Sequence, residues 1–136
     1  MAQLHLKIVT PEKVIVESEV DMVTLTTSEG EIGVLPHHAS LMAKLMPGEL
    51  RIKRGGRNEV LATGDGFIQV ADNTLTILTD LAVNEDEIDE KKVEEARKRA
   101  ESALEQKLSN EEYAETLAIL EKSLAQLKIK RRHRVR

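Results

Sequence analysis

All seven Gly and all three Pro fall within the first 66 residues of the 136-residue chain, and from Asn84 to the end there is neither. Glycine supplies the positive φ angles of tight turns and proline stops strands, so this asymmetry divides the chain into a turn-rich part and an uninterrupted one. After Val83, Ala, Glu, Lys and Leu dominate, the makeup of helices. The expectation is a segregated α+β chain, with a β domain over residues 1–84 and helices over residues 85–136.

The first part reads as short strands in which apolar and polar residues alternate. Leu4, Leu6 and Ile8 alternate with Gln3, His5 and Lys7 until Thr10-Pro11. Further strands are expected at Val14–Val16, Val20–Thr26, Glu31–Leu35, Leu41–Met46, Glu49–Lys53, Glu59–Thr63, Gly66–Val70 and Thr74–Thr79. Their spacing suits a sandwich or barrel. Arg54-Gly55-Gly56-Arg57 and Asp72-Asn73 read as hairpin turns.

In the second part, Asn84 with Glu87 and Ser109 with Glu112 have the spacing of capping boxes, which predicts a helix from about residues 85–87 to Leu108 and another after Ser109. Ile88, Val93, Ala96, Ala100, Ala103, Leu104 and Leu108 form an alanine-rich stripe on the first. Tyr113, Leu117, Leu120, Leu124 and Leu127 step along the second by four and three residues. The result is an antiparallel helical hairpin with a thin apolar seam. Such a seam contributes little beyond the entropy of ordering the helices, so the arm is expected to open readily.

Charge sharpens this picture. Residues 85–121 hold 13 acidic and 6 basic side chains, whereas residues 122–136 hold 7 basic and none acidic. The last segment is a cationic tip, suited to docking on an acidic partner or to a helix C-terminus. Nucleic acid is the alternative partner, but Phe67 and Tyr113 are the only aromatic residues and neither lies in the tip, so base stacking is not provided for. With no Cys, disulfides, thiolate metal sites and cysteine nucleophiles are excluded. His37 and His38 are neighbours that would face opposite ways on a strand, so no metal site is expected. Asp65, Asp72 and Asp80 sit in turn-like surroundings, and no phosphate-binding loop, nucleophile elbow or HExxH helix occurs, so no enzymatic activity is expected. No apolar run reaches the length of a membrane span, and MAQLHLKIV lacks the pattern of a secretion signal, so a cytosolic setting is expected.

The ordered series Val9-Thr10-Pro11-Glu12-Lys13, Ser28-Glu29-Gly30-Glu31-Ile32-Gly33-Val34-Leu35-Pro36-x-His38-Ala39, Met46-Pro47-Gly48-Glu49-Leu50, Gly66-Phe67 followed by Val70, and Asn73-Thr74-Leu75-Thr76-Ile77-Leu78 ahead of Asp80 resembles the bacterial ε subunit of the rotary F-type ATP synthase. The resemblance runs the length of the chain. It implies a β-sandwich of about ten strands that holds the γ subunit and rests on the c ring, coupling proton-driven rotation to the catalytic head. Glu31 matches a position facing the c ring, and His38 one facing γ.

The resemblance also implies that the arm, when extended along γ, blocks ATP hydrolysis at the α and β subunits of the head, and releases the block when folded. Lys122, Lys128, Lys130, Arg131, Arg132 and Arg134 would meet acidic segments of the β subunits. Several weak pairs suffice, because a two-state equilibrium shifts from one extreme to the other for about 5.5 kcal/mol. Some relatives bind regulatory ATP through Ile/Leu-Asp-x-x-Arg-Ala; here Ile88 and Asp89 are kept, while Lys92 and Val93 replace the last two. Lys lacks the planar fork of Arg, so ATP is expected to be a weak ligand, with Arg97 and Arg99 adding charge. No other cofactor is implied, and the membrane association would be peripheral, on the cytoplasmic side of the bacterial plasma membrane and only through the Fo complex.

Overall fold

The computed structural model describes the backbone of residues 2–135 and the side chains of residues 2–132. Ten strands, β1 (Leu4–Val9), β2 (Val14–Val20), β3 (Met22–Thr27), β4 (Gly30–Val34), β5 (Leu41–Leu45), β6 (Gly48–Arg54), β7 (Arg57–Thr63), β8 (Gly66–Ala71), β9 (Thr74–Thr79) and β10 (Ala82–Asn84), precede a 3-10 turn at Glu85–Glu87 and two helices, α1 (Glu90–Leu104) and α2 (Asn110–Val135). The expected segregation of strands and helices holds.

The strands form one hydrogen-bonded path, β10-β7-β6-β3-β5-β8-β9-β1-β2, with β4 added on β3. The path doubles back at the β3–β5 step, where the ladder narrows to the single pair Thr27↔Leu45. Backbone bonds from Met46 to Thr26 (3.0 Å) and from Ser28 to Lys44 (3.0 Å) hold that corner. Folding there stacks β10-β7-β6-β3-β4 on β5-β8-β9-β1-β2, and Leu50, Ile52, Val23 and Leu25 from one layer share a core with Leu4, Leu6, Ile8, Leu75 and Ile77 from the other. Each such aliphatic side chain, withdrawn from water, stabilises the fold by about 1.5–3 kcal/mol. The strict alternation of buried and half-buried residues along β1 and β3 is the physical consequence of one face meeting this core.

Both expected hairpin turns form with positive φ at their two central residues, 56° and 81° at Gly55 and Gly56, and 51° and 58° at Asp72 and Asn73. The Asn73 carboxamide adds a cross-brace: it donates to the Gln3 carbonyl (2.7 Å) and accepts from the His37 N–H (2.8 Å).

The helical part departs from expectation at its start. Asn84 makes no capping bond, because it ends β10 opposite Leu61, and Ile88 and Asp89 are extended. The first α-helix therefore begins at Glu90, capped by the Asp89 carboxylate, which accepts from the Lys92 N–H at 3.2 Å, and it stops at Leu104 rather than Leu108. The second box forms reciprocally: Glu112 N–H donates to Ser109 Oγ (3.1 Å) and Ser109 N–H to the Glu112 carboxylate (3.3 Å). On α2, Tyr113 and Leu124 are exposed, while Ser123, Leu127 and Ile129 are buried. The expected seam is rotated because α2 has two neighbours, α1 on one side and strands β6 and β7 on the other.

Gly66 lies where a Cβ would run into the Leu78 carbonyl on β9. Gly66→Ala is expected to lower the unfolding free energy by about 1–3 kcal/mol, read as a drop in urea midpoint at unchanged slope.

Candidate functional site

The surface with most chemistry on it is the seam between α2 and the sandwich. Ile129 is 1% exposed and packs with Ala62 and Val60 on β7, Ile88 in the linker and Val93 on α1. This small cluster is separate from the sandwich core, and it explains why Ile88 is pulled into an extended conformation: its side chain is buried in the cluster that Ile129 enters. Ala100 is the buried residue of α1, where a small side chain permits a close approach to α2.

Ion pairs flank the cluster. Arg132 presents both terminal nitrogens to Glu49 on β6, at 2.6 and 2.5 Å, in the two-pronged geometry only a guanidinium offers. The Glu49 side chain is only 17% exposed. Arg131 donates from Nε to Glu90 (3.0 Å) and from a terminal nitrogen to Glu94 (2.6 Å), both on α1. Ten residues before Arg132 on α2, about 15 Å along the axis, Lys122 pairs with Asp80. Gly64 makes room for that pair, since a Cβ there would strike the Asp80 carboxylate and approach Lys122 Cε at 3.0 Å. The cations thus face carboxylates of the sandwich and of α1.

Titration follows from these contacts. Hydrogen bonding to Arg97, then to Arg131, holds the Glu94 carboxyl below its ordinary value of 4.5 against the opposing effect of desolvation. The Glu49 carboxylate raises Arg132, and Glu90 followed by Glu94 raises Arg131. Away from the seam, His5 is raised above 6.5 by its bonds to Glu19 and Glu17 across β1 and β2.

The residues singled out in the sequence fall into three groups. Glu31 is exposed on β4 and pairs with Arg51 on β6 at 3.0 Å, whereas His38 lies in the turn after Pro36, with Nδ1 2.6 Å from the Ala39 carbonyl. Of the nucleotide set, Ile88 belongs to the buried cluster, Asp89 caps α1, Lys92 and Arg99 are exposed, and Arg97 is forked between Glu94 and Glu101. Of the tip, Lys122, Arg131 and Arg132 are in the ion pairs above, Lys128 is exposed, Lys130 is half-buried, and the Arg134 side chain lies outside the described residues. Glu49, Gly64, Asp80, Glu90, Glu94 and Ile129 were not singled out for the seam. Only the opposition of acidic and basic blocks hinted at the Arg131 partners. Among the described residues no group of three or more His, Cys, Asp or Glu side chains is arranged to hold a metal.

Residues 3–85 match the family model of the ATP synthase delta/epsilon chain beta-sandwich domain, and residues 86–131 that of its long alpha-helix domain. The chain belongs to the ATP synthase delta/epsilon family. The ATP synthase epsilon chain of Herpetosiphon aurantiacus is 39% identical over 133 residues, 98% of each chain, and that of Alkalilimnicola ehrlichii 36% over 137 residues, covering 100% of this chain and 98% of the relative. A chain in the Euglena gracilis mitochondrial ATP synthase structure, which comprises OSCP, F1 and the c-ring, superposes with a TM-score of 0.76 at 30% identity, over 92% of this chain and 79% of that one. The two curated relatives are epsilon chains of ATP synthase, and the nucleic-acid reading of the tip finds no support: three of its cations face carboxylates rather than forming a bare basic surface.

Ile129→Ala is expected to undock α2 while leaving the sandwich intact, seen as loss of protection of α2 amides in hydrogen exchange with β1, β3 and β9 unchanged. Acid should loosen the packing of α1 on α2, which the Glu94–Arg131 pair bridges. A carboxyl held low in the folded state contributes stability above its ordinary value and loses it as pH falls through the lowered one. Methyl contacts between Val93 on α1 and Ile129 on α2, followed by NMR, should therefore persist at neutral pH and weaken below about 4.5, the ordinary value for Glu94.

Proposed function

We propose that the chain is the ε-type central-stalk subunit of a bacterial proton-translocating F1Fo ATP synthase, coupling c-ring rotation to the catalytic head and restraining ATP hydrolysis with its two helices. The observation that carries this reading is the seam. The helical arm is attached to a self-contained sandwich through one small apolar cluster and a set of ion pairs, the kind of contact that separates and re-forms without unfolding either side. The sandwich core comprises residues between Leu4 and Ile77, so residues 1–84 can act as the rotor clamp while residues 85–136 move.

In this reading Glu31 is directed to the polar loops of the c ring and His38 to γ, and the cations of α2 dock on acidic segments of the catalytic β subunits when the arm extends. The complex sits on the cytoplasmic side of the plasma membrane with this subunit peripheral; among the described residues no helix is long and apolar enough to cross a membrane. Regulatory ATP is a weak ligand of the folded arm. Lys92 lacks a fork, Arg97 is engaged by Glu94 and Glu101, and Glu90 and Glu94 repel phosphate nearby.

Hydrolysis by a matching α3β3γ complex, with the full chain and with a chain ending at Asn84, tests the proposal. Both should bind γ and only the full chain should suppress hydrolysis; binding without suppression by either removes the inhibitory role. Calorimetry should give no more than millimolar affinity for ATP, and Lys92→Arg should tighten it.

A further inference from the structure

Three of the six docking cations of α2 are already occupied within the chain. Glu49, Asp80, Glu90 and Glu94 present carboxylates to Arg132, Lys122 and Arg131, which is what an acidic partner segment would present to the same side chains. We infer that Glu49 is an internal competitor for the arm: its carboxylate holds the Arg132 guanidinium against the sandwich, so the arm extends only when an external acidic segment outcompetes it. This rests on the proposed inhibitory role of the arm, and it adds the residue that sets the threshold.

Three features single out Glu49 among the four. It is the least exposed of the carboxylates in these pairs, at 17% of its side chain, against 43% for Asp80, 25% for Glu90 and 20% for Glu94. It receives both prongs of one guanidinium, whereas Arg131 divides its bonds between two acids. And it sits on β6, in the rigid sandwich, so the bond ties the arm to the clamp; Glu90 and Glu94 travel with the arm on α1. Arg132 lies three residues after Ile129, on the same side of α2, so the fork closes over the apolar cluster it secures. Competition for the guanidinium is therefore competition for the whole seam.

The other groups facing this pair define its response. Arg51, Lys53 and Glu85 line the same groove, with Met22, Thr24, Asn58 and Val60 completing it. Glu85 adds negative charge toward Arg132 and supports its raised pKa after Glu49. Removing the Glu49 charge leaves a weaker, neutral contact, and charge-assisted bonds exceed neutral ones by enough to change the open-to-closed ratio about tenfold.

The chain has no cysteine, so labels on Arg57→Cys and Glu121→Cys report the sandwich-to-α2 distance by energy transfer in the full, isolated protein. Glu49→Gln should raise the open population about tenfold and Arg132→Gln should do the same, with the double variant no more open than either alone. The swap Glu49→Arg with Arg132→Glu should restore closure, which guards against a folding defect. In the α3β3γ complex, Glu49→Gln should inhibit hydrolysis at lower concentration than the unaltered chain. An unchanged distance distribution in Glu49→Gln, or additive opening in the double variant, overturns the inference. Opening without any change in hydrolysis retains Glu49 as the latch and instead removes the inhibitory role of the arm.

Discussion

The position of the helical arm depends on a seam in which a small apolar contact is flanked by ion pairs. Ile129 in its pocket of Ala62, Val60, Ile88 and Val93, the buried Leu127 and Ser123, and the close approach of α1 at Ala100 join α2 to the rest of the protein, and Arg132, Arg131 and Lys122 on carboxylates flank these contacts. The sandwich is different in kind: its core is aliphatic and fully closed, with Leu4, Leu6, Ile8, Leu50 and Ile77 wholly removed from water. Hydrophobic burial is not screened by salt, whereas partly exposed ion pairs are. The two halves of the molecule therefore respond to different variables, and the half that responds to charge is the half proposed to move.

Much of this was legible in the sequence because it is local. Alternation located the strands, paired positive-φ residues located the hairpins at Gly55-Gly56 and Asp72-Asn73, and Ser109 with Glu112 located the start of α2. The failures were also physical. Asn84 and Glu87 have the spacing of a capping box, but Asn84 is committed to β10 and Ile88 to the seam, so tertiary contacts override the local signal and delay α1 to Glu90. The apolar stripe on α2 was read as facing a single partner; with α1 and the β6–β7 face both in contact, Leu124 is left exposed and Ile129 is buried.

The seam itself left almost no trace in the sequence. Arg132 and Glu49 are 83 residues apart, and nothing local distinguishes Glu49 from any other acid near the start of a strand. Gly64 carries its reason only in three dimensions, where the absence of a Cβ admits the Asp80–Lys122 pair. What composition did carry was the opposition of an acidic block and a basic tip, and the structure resolves it into intramolecular pairs. Three cations of the block that reads as a docking surface for a partner are, in the folded arm, docked on their own chain.

In the proposed function the arm restrains hydrolysis by leaving the sandwich. Val60→Cys with Ile129→Cys allows the seam to be closed by a short reducible cross-link, and the hydrolysis rate of the assembled α3β3γ complex can be followed before and after reduction. Hydrolysis should run uninhibited while the link holds and fall in rate when it is cleaved. Equal inhibition in both states would contradict it, because the arm would then act without undocking.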